Sequence, residues 1–242
     1  MKTTWGPDEI INRFKGFLLA SEVGARIAKV FLFGSHAKKT ATADSDIDVL
    51  VFTSDGRDVE DALMDHVYDF MVENDAPLEV MTRPVDDLFN MQDYFIYNVV
   101  RYGIEVYSMD EKQIKKAAVD SFLGLCEEYL ESAREVLDSN RIRLAIDAGY
   151  NAAELAGKAL ILLKQDDLPG SHGGVVSLLG QLYVKTELTD KTVGRNLNRS
   201  LKLRNEARYR PDAVFSEKDA RFVLDVAEKL LDLARNRWKE LM

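Results

Sequence analysis

Asp46 and Asp48 stand at the head of an apolar run, and a Gly-Ser pair, Gly34 and Ser35, stands upstream of them across residues 36–45. The stretch reads KVFLFGSHAKKTATADSDIDVLVFTS, from Lys29 to Ser54. Side chains two apart on a strand point to the same face, so Asp46 and Asp48 aim together while Ile47 and Val49 aim at the other face. Two neighbouring carboxylates repel unless a cation lies between them. Hard divalent cations such as Mg²⁺ take oxygen ligands and favour one or two carboxylates together with substrate phosphates. A glycine lets the backbone approach a phosphate closely, and the serine adds a hydroxyl donor.

Elements must position these residues, and the first part of the chain alternates between two periodicities. Asp8 to Gly24 has helical spacing (Ile10, Ile11, Phe14, Phe17, Leu18). Two apolar strands flank the polar loop between Gly34 and Asp46. Asp58 to Glu73 is helical, Pro77 to Thr82 a short strand, Val85 to Tyr102 helical, and Ile104 to Tyr107 a last strand. This alternation predicts an α/β domain around a mixed sheet over residues 1–109. From 110 to 242 no strand pattern recurs. Helical periodicity runs over 111–137, 141–163, 174–184, 190–208 and 216–241, which predicts an all-α bundle of roughly five helices.

The Gly-Ser turn, the spacing and the Asp-x-Asp inside a second strand, with Ser45 and Ile47 around the first Asp, resemble the nucleotidyltransferase superfamily of DNA polymerase β. The resemblance implies transfer of a nucleoside monophosphate, AMP first among them, from ATP or another NTP to a hydroxyl, with two Mg²⁺ ions. Asp46 and Asp48 would be metal ligands. Glu79, in the strand PLEVMT, would be the third carboxylate, as ligand or base, where the family often has Asp. Gly34 and Ser35 would hold the triphosphate, and Lys38 and Lys39 could reach it. His36 and Lys38 stand where small members commonly carry Arg.

The second part resembles HEPN domains, helical partners of minimal nucleotidyltransferases. The likeness rests on RIRLAIDAGYNAAELAGKALI (141–161), SHGGVVSLLGQLYVKTELT (171–189) and LRNEARYRPDAVFSEKDARFVLDVAEKLL (203–231). Many HEPN domains cleave RNA with an Arg followed four to six residues later by His. Here Arg204 leads to Tyr209, and Pro211 stands where paired toxins carry a tyrosine that accepts AMP. The motif is therefore degenerate, and neither role carries over directly. His172 is expected as a helix cap or surface residue. Lys191, Arg195, Arg199, Lys202, Arg204, Arg208 and Arg210 form a basic run, open to solvent, to contact within an assembly, or to nucleic acid.

Together the two resemblances imply a toxin–antitoxin-like fusion that modifies a protein or RNA hydroxyl, and a homodimer paired through its helices. The alternatives are an aminoglycoside-type antibiotic nucleotidyltransferase and a non-catalytic nucleotide-sensing module. Composition narrows the setting. Of the 242 residues 46% are hydrophobic, enough for a core. The lone Cys126 forms no internal disulfide, and no run approaches the length of a membrane span, so a cytoplasmic protein is expected. Residues 1–110 hold 10 Lys and Arg against 20 Asp and Glu, a net of −10. Residues 111–242 hold 22 against 21, a net of +1. So acidic a first half does not suit duplex DNA.

Overall fold

The computed structural model describes residues 5–54, 57–89 and 93–241. The chain divides into two compact units, Met1–Ala118 and Val119–Met242. The division falls inside a long helix, α5 (Glu111–Asp138), that begins where the sequence changes character.

In the first unit the order is α1 (Pro7–Ala20), β1 (Ile27–Leu32), a single helical turn α2 (Gly34–Ala37), β2 (Ile47–Thr53), α3 (Arg57–Asn74), β3 (Leu78–Pro84), α4 (Tyr94–Tyr102) and β4 (Ile104–Ser108). The sheet order is β3-β2-β1-β4. β1 runs antiparallel to β2 and to β4, while β2 and β3 are parallel. One face of the sheet (Val30, Leu32, Ile47, Val49, Val51, Leu78) is buried with Ile10, Phe14 and Leu18 of α1 and Leu63, Val67 and Phe70 of α3. That face takes the odd-numbered residues of β2, so the even-numbered Asp48 is set on the opposite face.

The helix expected over 85–102 is two elements. A 3₁₀ turn covers Val85–Phe89, and α4 starts afresh at Tyr94. Asp93 explains the new start: its side chain caps α4 by accepting from the Phe95 N–H at 2.8 Å. Residues 90–92, which fall within the expected helix, lie outside the described residues.

The second unit contains most of α5 (Glu111–Asp138), then α6 (Ile142–Leu162), α7 (His172–Leu179), α8 (Lys191–Tyr209) and α9 (Glu217–Leu241). α6 is the centre and packs on α7, α8 and α9. Its alanines at 145, 152, 153, 156 and 159 are fully buried, which lets neighbouring helices come close. Gly149 adds to this close packing, since a Cβ on it would stand 2.8 Å from Leu224 Cδ1 of α9 and displace that side chain. The helix expected over 174–184 starts earlier, since Ser171 caps it through the Gly174 N–H at 3.1 Å. It also ends in a π-helical turn over Gly180–Val184. Within that turn Tyr183 is buried and its hydroxyl donates to the Leu160 carbonyl at 2.7 Å.

Two local features yield measurable consequences. Asp219 and Ser216 cap α9: the Ser216 N–H and hydroxyl donate to Asp219 Oδ2 at 2.9 and 2.6 Å. The Ser216 hydroxyl first, then its N–H, hold the Asp219 carboxyl below the usual carboxylate range. A carboxyl lowered by folding stabilises at any pH above its unfolded value and loses that contribution as pH falls through the folded value. Asp219→Asn is expected to lower stability by about 1 kcal/mol at neutral pH. In denaturant titrations its deficit against the parent should shrink as pH drops below about 4. An unchanged deficit at low pH would mean the charge contributes nothing. Cys126 in α5 is fully buried, and burial pushes its thiol up to about 12. At pH 8 only about 10⁻⁴ of it is thiolate, so a thiol reagent should label the native chain negligibly and the denatured chain fully.

Candidate active site and a polar cluster in the helical unit

β1 ends at Leu32, and the chain turns sharply at Gly34. The Phe33 N–H donates to the Asp48 carbonyl at 2.9 Å, which locks this turn onto the head of β2. Gly34 has φ +66°, a conformation that favours glycine. A Cβ there would stand 1.8 Å from Asp48 Oδ2 and 2.6 Å from its Cγ, so the glycine backbone lies directly against the Asp48 carboxylate. Ser35 is half-buried in α2, and its carbonyl accepts from the Thr40 N–H at 2.9 Å, closing the loop. The far side of the loop is a turn in which the Thr42 N–H donates to Ser45 Oγ at 2.9 Å. His36 Nε2 lies 3.3 Å from the Ser45 carbonyl, tying α2 to that turn just ahead of Asp46.

Glu79 is the register partner of Asp48 across the parallel β2–β3 pair. Partners in register share a face, on strands about 4.8 Å apart. β3 is the edge strand, and Glu79 is exposed there while Leu78 is buried on the other face. The fold thus brings Gly34, Asp48 and Glu79 together. Asp46 is exposed one residue before β2, and Lys38 and Lys39 are exposed on the loop. Among the described residues no three Asp, Glu, His or Cys side chains converge into a metal-holding group. What is present is a carboxylate pair in register, with the Gly34 backbone packed directly against the Asp48 carboxylate. All its charged donors are hard oxygens, which fits a divalent cation that completes its shell from a substrate phosphate and water.

The helical unit holds a polar cluster around the degenerate motif. Arg204 is 4% exposed. Its Nε donates to Asp147 Oδ1 at 3.2 Å and its Nη1 to Asn205 Oδ1 at 3.1 Å. Its guanidinium carbon lies 5.8 Å from the centre of the Tyr150 ring. Arg208 reaches the same Asp147 at 3.3 Å. The Tyr150 ring also meets the His172 ring edge-on, with centroids 5.9 Å apart. His172 Nδ1 is bonded to Glu154, which Lys158 also approaches at 3.5 Å. Tyr150 is fully buried, and burial first, then the nearby Glu154 charge, drive its phenol far above the usual range. Tyr209, by contrast, is 67% exposed and takes no part. His172 is the exposed residue expected, 45% exposed at the start of α7, and it also pairs with the buried Glu154. Sequence reading missed Asp147, Tyr150 and Glu154. The signal was present: Asp147, Tyr150, Glu154 and Lys158 recur every three or four residues in an otherwise Ala-rich helix.

A further anchor is Arg143, whose guanidinium donates to the carbonyls of Ala207, Arg210, Pro211 and Ala213. It holds the end of α8 and the turn into α9 against α6.

A mixed sheet that sets a glycine turn against paired carboxylates, followed in the chain by a helical module, defines a group-transfer domain fused to a bundle. The family model "Polymerase beta, Nucleotidyltransferase" matches residues 19–112, and the HEPN domain model matches residues 121–237. The protein is a fusion of a polymerase-β-type nucleotidyltransferase domain and a HEPN domain. Curated relatives match about half of the chain. A Methanocaldococcus jannaschii protein whose name marks it as a suspected toxin is 27% identical over 124 residues, 51% of this chain and 91% of the relative. A UPF0332 protein of Pyrococcus horikoshii is 28% identical over 123 residues, 51% of this chain and 80% of the relative. Among solved structures, a toxin–antitoxin crystallised with AMP-PNP is 16% identical, covers 54% of this chain and 98% of its own, and has a TM-score of 0.32. No described helix is long and apolar enough to cross a membrane.

Proposed function

We propose that the protein transfers a nucleoside monophosphate, AMP first among the candidates, from an NTP to a hydroxyl on protein or RNA, breaking the α–β phosphate bond and releasing pyrophosphate, in a toxin–antitoxin-like setting. The observation that carries this reading is the Gly34 backbone held against Asp48 with Glu79 in register beside it. In this reading Gly34 and Ser35 bind the triphosphate. The glycine lets its backbone lie against the Asp48 carboxylate, and the Ser35 hydroxyl would donate to a phosphate oxygen. Lys38 and Lys39 add positive charge from the loop. Asp46 and Asp48 would hold Mg²⁺, two ions when substrate is bound, and the metal would supply charge neutralisation at the phosphates and a lowered pKa at the acceptor hydroxyl. Glu79, exposed on the edge strand, would be a further metal ligand or the base that takes the hydroxyl proton.

The acceptor is a hydroxyl of a protein side chain or an RNA end. Tyr209, exposed at the end of α8, is one such hydroxyl on this chain. The suspected-toxin name of one relative, which matches 51% of this chain, supports the toxin–antitoxin setting. A homodimer and a cytoplasmic site complete the reading. The protein incubated with Mg²⁺, cell lysate and each labelled NTP should place label on protein or RNA. Asp46→Ala/Asp48→Ala should place none. Equal labelling by the double variant would overturn the reading, and nucleotide binding with no transfer to any acceptor would replace it with a sensing role.

A further inference from the structure

We propose that the cleft beside α3 and the Thr42–Ser45 turn is a docking site for a basic amphipathic helix of a partner protein. Met64, Tyr68 and Val72 lie four apart on α3 and so form one stripe. They are 41%, 67% and 64% exposed, on a helix whose other apolar residues Leu63, Val67 and Phe70 are buried. A surface helix ordinarily shows polar residues on its outer face, and a run of exposed apolar ones marks a contact surface. The stripe spans about 12 Å, two turns of an apposed helix.

The stripe leads into a cleft of about 810 Å³ lined by Trp5, Ile10, Met71 and Pro77 beside Tyr68 and Val72. Arg13 stacks on Trp5 at 3.6 Å. The rim is acidic. Among the described residues the lining has Asp44 and Asp75 and no Lys or Arg, with the Arg13 guanidinium over the Trp5 ring beside it. Asp61, Asp65 and Asp69 are exposed along one side of the stripe. An apolar stripe between acids fits an apolar helix face flanked by Lys or Arg, and disfavours nucleic acid and anionic lipid alike. Thr42 and Ser45 also line the cleft, so the occupant touches the turn that leads into Asp46.

The test is fluorescence anisotropy with labelled synthetic amphipathic helices of about 18 residues, one of Leu and Lys and one of Leu and Glu. The Leu/Lys peptide should bind with a dissociation constant of about 10 μM, and the Leu/Glu peptide should not bind. Any acidic protein attracts a cationic peptide weakly, so the decisive variants add negative charge. Val72→Glu and Tyr68→Glu should each weaken binding about tenfold, because they spoil the apolar stripe. Both positions are exposed, and unchanged thermal unfolding confirms that the variants fold. Binding that stays equal or tightens in these variants would be general charge attraction and would overturn the proposal. So would failure of the parent to bind, or a parent that sediments as a dimer which Val72→Glu splits, because the stripe would then be a contact between copies of this chain.

Discussion

Gly34→Ala is expected to abolish nucleotidyl transfer while leaving the fold in place. The added Cβ would fall 1.8 Å from Asp48 Oδ2, far inside any permitted contact. The φ of +66° alone costs an alanine about 1–2 kcal/mol, a tolerable loss for the domain. The collision is the larger effect on function. It is relieved only by turning the Asp48 carboxylate away or by lifting the turn off β2. Either movement removes a proposed metal ligand and the backbone surface proposed to face the triphosphate. Loss of transfer by at least about 10³-fold, or some 4 kcal/mol of transition-state stabilisation, should accompany a modest fall in unfolding temperature. Activity within tenfold of the parent would mean that the close approach of Gly34 and Asp48 has no catalytic purpose.

Arg204→Ala should be the most destabilising single change in the helical unit. It leaves Asp147, itself largely buried, without its innermost partner, and it empties the space beside Tyr150. Removing one member of such a buried pair costs about 3–5 kcal/mol. Arg208→Ala provides the contrast, since it removes a 45% exposed partner of the same Asp147 and should cost under about 1 kcal/mol. Chemical unfolding of both variants, followed by a probe of the helical unit, checks the ordering. Equal small effects would show that the cluster around Arg204 does not hold the bundle together. The contrast also bears on the degenerate HEPN motif. An arginine buried by Asp147 and Tyr150 is committed to structure, whereas Tyr209, the residue in the place of the motif histidine, points out to solvent.

Much of the first site was legible before any coordinates, because its signals are local. A glycine ending an apolar strand and two aspartates one residue apart at the start of the next are written within fifteen residues, and strand periodicity alone predicts that the aspartates share a direction. Glu79 was readable as a charged residue in an apolar strand, but its place beside Asp48 depends on β2–β3 pairing across an intervening helix. The collision distance at Gly34 likewise depends on the register of β1 against β2. In the helical unit the pattern of buried alanines announced close packing, whereas the partnership of His172 with Glu154 depends on how α7 folds back on α6. Element ends were misjudged where a side chain overrides periodicity. Asp93 restarts α4 and Ser171 starts α7, and both are caps whose effect is stronger than the hydrophobic spacing around them.

The claim that everything else depends on is that Gly34, Ser35, Asp46 and Asp48 form a metal-dependent nucleotide site. The most direct measurement is calorimetric titration of the protein with each NTP, in Mg²⁺ and in a chelator, beside Asp46→Ala/Asp48→Ala. At least one NTP should bind with micromolar affinity in Mg²⁺, at least about tenfold more weakly in chelator, and without detectable heat to the double variant. Binding that is indifferent both to Mg²⁺ and to the loss of both aspartates would contradict the account and place the nucleotide elsewhere.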